Sequence, residues 1–80
     1  MKNFDDLVFV PIYPNAYELK ATLEFNNGYS CIVYKNSPST NRELPYEYEL
    51  IPPNSNISDD NIGYCSKEEI ISLLRESQNL

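Results

Sequence analysis

The chain has 80 residues, no histidine, two glycines and a formal net charge of −6 at pH 7. A chain of this length makes one domain, residues 1–80, with a thin core. Without histidine it lacks the commonest general base and the usual ligands of catalytic zinc, and two isolated glycines cannot form a phosphate-binding loop. We therefore expect no enzymatic activity, no cofactor and no metal.

The first element is a short apolar run near the N-terminus. Leu7 to Val10 is apolar, but Pro11 interrupts it and Pro14 follows soon after. Proline cannot donate a hydrogen bond to a sheet ladder, so the run is expected either as an edge strand or as an extended segment lying on the sheet.

The clearest pattern predicts a β-hairpin. From Tyr17 to Phe25, apolar and polar residues alternate, which is typical of a strand with one face on the core. Asn27-Gly28 then suits a two-residue type I′ turn, because that turn requires positive φ at both central residues. With this turn, Leu23 is expected opposite Ile32 on a second strand from Tyr29 to Tyr34.

A polar connection and a third strand follow the hairpin. Lys35 to Pro45 is polar, contains two prolines and has no periodicity, so we expect an exposed loop. Tyr46 to Ile51 alternates again, which predicts a strand with Tyr46, Tyr48 and Leu50 on one face. Pro52-Pro53 ends it.

The C-terminal part predicts one helical turn and one longer helix. Ser58 to Gly63 has an N-cap serine, two acids and a glycine suited to the left-handed position after a helix. Ser66 and Glu69 then form a capping box that opens a helix with an apolar side. The elements together predict an α+β fold, a three- or four-stranded antiparallel sheet with the C-terminal helix packed on one face.

The sequence also indicates a compartment. The N-terminal residues contain no apolar stretch of the kind found in secretory signals, and no segment approaches the ~20 apolar residues of a membrane span. We expect a cytoplasmic protein with no membrane partner. In the cytoplasm Cys31 and Cys65 are expected as reduced thiols in the core, with a disulfide as the less favoured alternative.

The net charge lies entirely in the second half of the chain. Residues 1–42 contain four acids and four bases, whereas residues 43–80 contain eight acids and two bases. Such an asymmetry repels nucleic acid and anionic membranes, and it attracts a basic partner. The excess of acids also has a simpler explanation, since it keeps a small protein soluble.

Three features allow other interpretations. Glu47 and Glu49 resemble the paired carboxylates of glycosidases, but polar residues on the wet face of a strand explain them better. Asp59 and Asp60 lack the spacing of a calcium loop and fit the start of a helix. The tyrosines suggest ordinary sheet packing first and a protein-binding face second. Direct nucleic-acid stacking is disfavoured, because it needs a basic groove.

Three segments resemble a family of small phage and prophage proteins. They are Phe25-Asn26-Asn27-Gly28-Tyr29 through Val33, the strand start Tyr46-Glu47, and the run from Ser58-Asp59-Asp60 through Gly63-Tyr64 to Glu68-Glu69-Ile70. Members of that family combine an Asn-Gly-Tyr hairpin, a middle strand and an Asp-Asp turn that enters a Glu-Glu-Ile or Glu-Glu-Val helix. The resemblance implies a small phage-borne accessory protein made inside a bacterium. It implies no activity and no functional residues.

The leading prediction is a protein that inhibits or modulates a host factor through an acidic face, as anti-CRISPR proteins and DNA mimics do. Its partner would be a host protein with a basic surface, possibly part of a nucleic-acid-binding complex. The candidate partner-binding residues are Tyr46, Glu47, Tyr48, Glu49, Asp59, Asp60, Glu68 and Glu69. The alternative is a structural or assembly protein, monomer or homodimer, that uses its sheet edge or a tyrosine face.

Overall fold

The computed structural model describes residues 1–36, 43–58 and 60–80. In these residues five strands form one antiparallel sheet whose spatial order follows the chain, and one α-helix packs on one face. The elements are a 3-10 helix (Phe4–Asp6), β1 (Val10–Pro11), β2 (Leu19–Glu24), β3 (Ser30–Lys35), β4 (Tyr46–Ile51), β5 (Asp60–Cys65) and α1 (Lys67–Gln78). The α+β prediction is confirmed, although the expected three or four strands are fewer than the five present.

The hairpin between β2 and β3 exists, but its register differs from the prediction by one residue. Leu23 pairs with Cys31 instead of Ile32. The Gly28 amide donates to the Phe25 carbonyl at 3.2 Å, and Gly28 has a φ of 89°. The loop therefore has three residues and ends in a left-handed glycine, which is the second common hairpin connection. Cys31 and Val33 consequently face the core.

The predicted helical turn from Ser58 to Gly63 is wrong where the structure describes it. Asp60–Cys65 forms β5, an edge strand that pairs with β4. Between Tyr46 and Tyr48 the register shifts, and Tyr64 takes a φ of 57°, so β5 carries a bulge near its end. The backbone hydrogen bonds offered by β4 outweigh the local helix-start signals of this segment.

One layer of side chains between the sheet and α1 forms the core. Its fully buried members include Val33 and Tyr48 from the sheet and Ile70 and Leu74 from the helix. The predicted capping box is present, because the Glu69 amide donates to Ser66 Oγ at 3.2 Å and the Ser66 amide donates to Glu69 Oε1 at 3.1 Å. Residues 70 and 74 lie four apart, so the capped helix turns both toward the sheet.

The N-terminal segment closes the end of the core near Tyr46. Phe4 meets the Tyr46 ring edge-on with centroids 5.7 Å apart, and Phe9 lies 6.0 Å from the same ring. Leu7, which lies between Phe4 and Phe9 in the sequence, is buried. Leu7 and Phe9 of the apolar run therefore pack in the core, Val8 is exposed, and the edge-strand alternative holds only for Val10–Pro11.

The two cysteines are free, buried thiols on β3 and β5. Cys31 pairs with Leu50 of β4, whereas Cys65 pairs with Tyr46. Strands two apart in a sheet are separated by about 9–10 Å, and four residues along β4 add about 13 Å in the perpendicular direction. This separation exceeds the reach of a disulfide bond, so the two thiols cannot bridge within the folded chain.

The described helices include none whose length and apolar character would let it cross a bilayer.

Candidate functional site

The predicted partner-binding residues that the structure describes fall into three groups, and one of these is in the core. Tyr46 and Tyr48 have exposed fractions of only 8% and 1%. Tyr48 also forms a buried hydrogen bond with Ser77 of α1, with the two hydroxyl oxygens 2.6 Å apart. The alternation of β4 thus places these two predicted partner-binding residues on its helix-covered face, where they pack in the core instead of facing solvent.

Glu47 and Glu49 lie on the opposite side of the sheet, which we call the open face because α1 packs on the other side. Cross-strand pairs define its rows, with Glu47 beside Tyr34 and Glu49 beside Ile32. The row of Glu47 also contains Lys20, since Lys20 pairs with Tyr34. The open face therefore carries both charge signs around half-buried apolar side chains, and it is not a purely negative surface.

One carboxylate of the open face, that of Glu49, is engaged by its neighbours. Glu49 Oε1 accepts a hydrogen bond from Asn61 Nδ2 at 3.3 Å. Burial raises the pKa of the Tyr34 hydroxyl, and the negative charges of Glu49 and Glu47, with a hydrogen bond to Glu49, raise it further. The neutral Tyr34 hydroxyl therefore donates to Glu49, and this carboxylate already has two partners within the protein.

A second group of carboxylates lies between α1 and the edge strand β5. Here the structure forms a groove of about 340 Å³, which we call the acidic groove. Its floor is made of the half-buried Ile62 and Leu73, and exposed glutamates surround it. The groove is lined by Ile62, Glu68, Glu69, Ser72, Leu73 and Glu76. All the charged residues in this lining are acids.

The spacing of residues on α1 explains why the groove is acidic. Glu69, Leu73 and Glu76 are separated by four and three residues, so they share one flank of the helix. Ile70, Leu74 and Ser77 lie next to this flank and are buried against the sheet. The packing of α1 therefore directs the acidic flank toward β5.

Negative charges from both acidic groups act on the end of β5. Burial raises the pKa of the Cys65 thiol, and the negative charges of Glu69 and then Glu47 raise it further. Glu69 belongs to the acidic groove and Glu47 to the open face. Both therefore lie near the end of β5, and the edge strand runs between two sets of carboxylates.

The predicted aspartates have different outcomes. Asp60 is exposed at the start of β5, opposite Leu50, and lies with Glu76 and Leu73 around a neighbouring depression of about 160 Å³. It extends the negative charge of the groove along β5. Asp59 lies outside the described residues.

Sequence reasoning identified Glu68 and Glu69 but missed Glu76, Ile62 and Leu73. Glu76 could have been found, because it lies seven residues after Glu69 and thus on the same helix flank. Ile62 could not have been found, since it reaches the groove only because its segment forms β5, whereas the local sequence signals predict a helical turn.

Within residues 1–36, 43–58 and 60–80, no group of three or more His, Cys, Asp or Glu side chains is placed to hold a metal ion.

No protein-family model matches the chain, and no curated protein and no solved structure matches it. The resemblance to small phage proteins stays a prediction.

Proposed function

We propose that this protein acts by binding, and that its acidic groove docks on a basic surface of a partner protein. The single observation that carries the proposal is the composition of the groove. Three glutamates of α1 surround an apolar floor of Ile62 and Leu73, and the lining contains no cation among the residues that the structure describes.

The chemistry of the groove favours a particular kind of partner segment. A floor of two apolar side chains favours an apolar anchor, because burying such a side chain contributes about 1.5–3 kcal/mol. The surrounding glutamates favour Lys or Arg on either side of that anchor, and they would speed the encounter by long-range attraction. We infer that the partner presents an apolar residue flanked by basic residues.

The biological setting of the proposal comes from the sequence resemblance. A phage-borne protein of this kind would inhibit or modulate a host factor in the bacterial cytoplasm, in the manner of an anti-defence, anti-CRISPR or DNA-mimic protein. A nucleic-acid-binding complex is a suitable host factor, because its phosphate-binding surface is basic. Nucleic acid itself is disfavoured as the direct partner, since its phosphates would meet the glutamates of the groove.

A peptide-binding experiment with matched variants tests the proposal. The probe is a fluorescent peptide with one leucine between arginines, and the readout is anisotropy at low and high salt. The test variant is Glu68→Gln with Glu76→Gln, which removes two charges from the groove. The control is Glu18→Gln with Glu24→Gln, which removes two charges from exposed positions before and at the end of β2.

We expect the groove variant to weaken binding by about 1–2 kcal/mol, or roughly five- to thirtyfold in Kd, because each exposed charge contributes modestly. The control variant should bind the peptide almost as tightly as the unaltered protein. Added salt should weaken peptide binding by the unaltered protein and by both double variants. Equal losses in both double variants would refute the groove as the site, since only net charge would then matter.

A second candidate is self-association, and one observation favours it specifically. β5 is an edge strand with exposed residues at Asp60, Asn61, Gly63 and Tyr64, and Tyr64 is 61% exposed. An exposed edge can pair with the same edge of a second copy. Analytical ultracentrifugation over a wide concentration range tests this, and a monomer at every concentration would exclude it. The Tyr64 bulge argues against a long continuous pairing.

A further inference from the structure

The flank of α1 opposite the acidic groove has the reverse charge. Lys67, Ile71 and Arg75 follow one another at intervals of four residues, so they form one stripe along the helix. The basic stripe and the acidic flank of Glu69, Leu73 and Glu76 lie on either side of the buried residues Ile70, Leu74 and Ser77. Glu68, seven residues before Arg75, lies beside the basic stripe.

The N-terminal segment turns the basic flank into a cleft. The Lys2 amide donates to Gln78 Oε1 at 2.7 Å, and Gln78 Nε2 donates to the Lys2 carbonyl at 2.9 Å. These two bonds fix the segment to the last turn of α1. At the other end the Phe4 ring packs on Tyr46, and Lys67 Nζ lies 5.0 Å from the centre of the same Phe4 ring.

The resulting space has a volume of about 280 Å³, and we call it the cationic cleft. The residues that matter to its chemistry are Lys2, Phe4, Asp5, Lys67, Ile71 and Arg75. Its side-chain charges are three positive and one negative, although the chain as a whole carries −6. Half of the six Lys and Arg residues of the chain are thus gathered around one cleft.

The walls of the cleft combine two kinds of chemistry. Phe4 supplies an aromatic side chain and Ile71, which is 37% exposed, supplies an aliphatic surface. Arg75 offers a planar set of donors that can hold two anionic oxygens at once, and Lys67 adds a point charge beside the aromatic ring. A ligand that uses both must have a negatively charged oxygen group attached to an apolar body.

We propose that the cationic cleft binds a small organic anion, with the anionic oxygens on Arg75 and Lys67 and the apolar body on Phe4 and Ile71. The site is separate from the acidic groove and does not depend on the partner-binding role proposed for it. The two sites lie on opposite flanks of α1, so each can be tested in the presence of the other.

Anilinonaphthalene sulfonate is a suitable probe, because it joins an anionic sulfonate to an aromatic body and fluoresces when bound. The variants are Lys67→Gln and Arg75→Gln, and the matched control is Lys20→Gln, which removes the same charge from the open face. All three side chains are exposed, so the variants are expected to fold, and circular dichroism verifies this. The neutral dye N-phenylnaphthylamine separates the charge contribution from the apolar contribution.

We expect saturable binding of the sulfonate dye, weakened roughly threefold to tenfold by each cleft variant and unchanged by Lys20→Gln. Binding of the neutral dye should be nearly equal in all four proteins. In NMR spectra the sulfonate dye should shift the amide signals of Phe4 and Ile71 more than those of Ile62 and Leu73.

Three results would overturn the proposal. These are the absence of saturable sulfonate binding, an equal loss in the Lys20→Gln control, and amide shifts centred on the acidic groove instead of the cationic cleft.

Discussion

The hydrogen bond between Tyr48 and Ser77 gives the sharpest test of how α1 is held on the sheet. The two hydroxyl oxygens are 2.6 Å apart, and the exposed fractions of their residues are 1% and 4%. Burial raises the pKa of the Tyr48 hydroxyl, so Tyr48 stays neutral over the physiological range. Removal of one hydroxyl leaves the other without its partner in a dry site, which costs about 1–3 kcal/mol.

We therefore expect Tyr48→Phe to lower the free energy of unfolding by about 2 kcal/mol. For a domain of this size that loss corresponds to a fall in Tm of about 8–16 °C. Ser77→Ala should cost less, because Tyr48 also interacts with the Cys31 thiol, which remains as a weak partner. The assay is thermal and urea unfolding of the two single variants and the double variant.

The double variant distinguishes the buried bond from simple loss of packing. If the bond exists, the double variant should be about 1–2 kcal/mol more stable than the sum of the single losses predicts, since neither hydroxyl is left unpaired. Additive losses to within a few tenths of a kcal/mol would refute the reasoning, because they would mean that the two hydroxyls act independently.

Three further predictions concern local features of the fold. Gly28→Ala should destabilise the protein by about 1–2 kcal/mol in urea unfolding, because Gly28 has a φ of 89° and a Cβ there would lie 3.1 Å from Pro53 Cγ. Gly63→Ala is the matched control. Its Cβ would lie 3.6 Å from Glu47 Oε1, so this variant should change the stability little. Ser66→Ala should cost about 1 kcal/mol in thermal unfolding, since it removes the N-cap of α1, and a loss as small as that of Ser72→Ala would contradict this role. Burial raises the pKa of the Cys31 thiol from 9.0 to about 11, so the folded state keeps this proton at pH values where the unfolded state loses it. The free energy of unfolding should therefore fall by up to about 3 kcal/mol between pH 9 and pH 11. Cys31→Ala should show a shallower fall over the same range, and an equal fall would contradict the assignment.

The parts of the fold that the sequence predicts correctly depend on strong local signals. The alternation of Tyr46–Ile51 requires only that one face of a strand be buried, and β4 has these bounds. The capping box at Ser66 and Glu69 is a contact between residues three apart, so tertiary structure has little influence on it. Both features were found where expected.

The hairpin register could not be predicted, because the second strand satisfies the core in two ways. In one register Ile32 and Tyr34 face inward, and in the other Cys31 and Val33 do. The turn decides between them, and its geometry involves a distant contact. The Asn27 side chain donates to the Ser77 carbonyl of α1 at 2.8 Å, and it accepts from the Tyr29 amide at 3.1 Å. The first of these bonds exists only after the helix has docked.

The acidic groove could be predicted only in part for a similar reason. Glu68 and Glu69 are recognisable as acids of a helix start, and their position on α1 follows from the capping box. The floor depends on Ile62, whose segment has the local signals of a helical turn and becomes a strand through its pairing with β4. The separation of Glu47 and Glu49 from the groove likewise depends on which face of the sheet the helix covers.

The central claim is that a basic partner docks in the acidic groove. The most direct measurement is an NMR titration of the isotope-labelled protein with the leucine-arginine peptide, following the backbone amide signals. The account predicts the largest shifts at Ile62, Leu73 and Glu76, with small shifts at Thr22 and Ile32 on the open face. Shifts concentrated on the open face, or no saturable shifts at low salt, would contradict it.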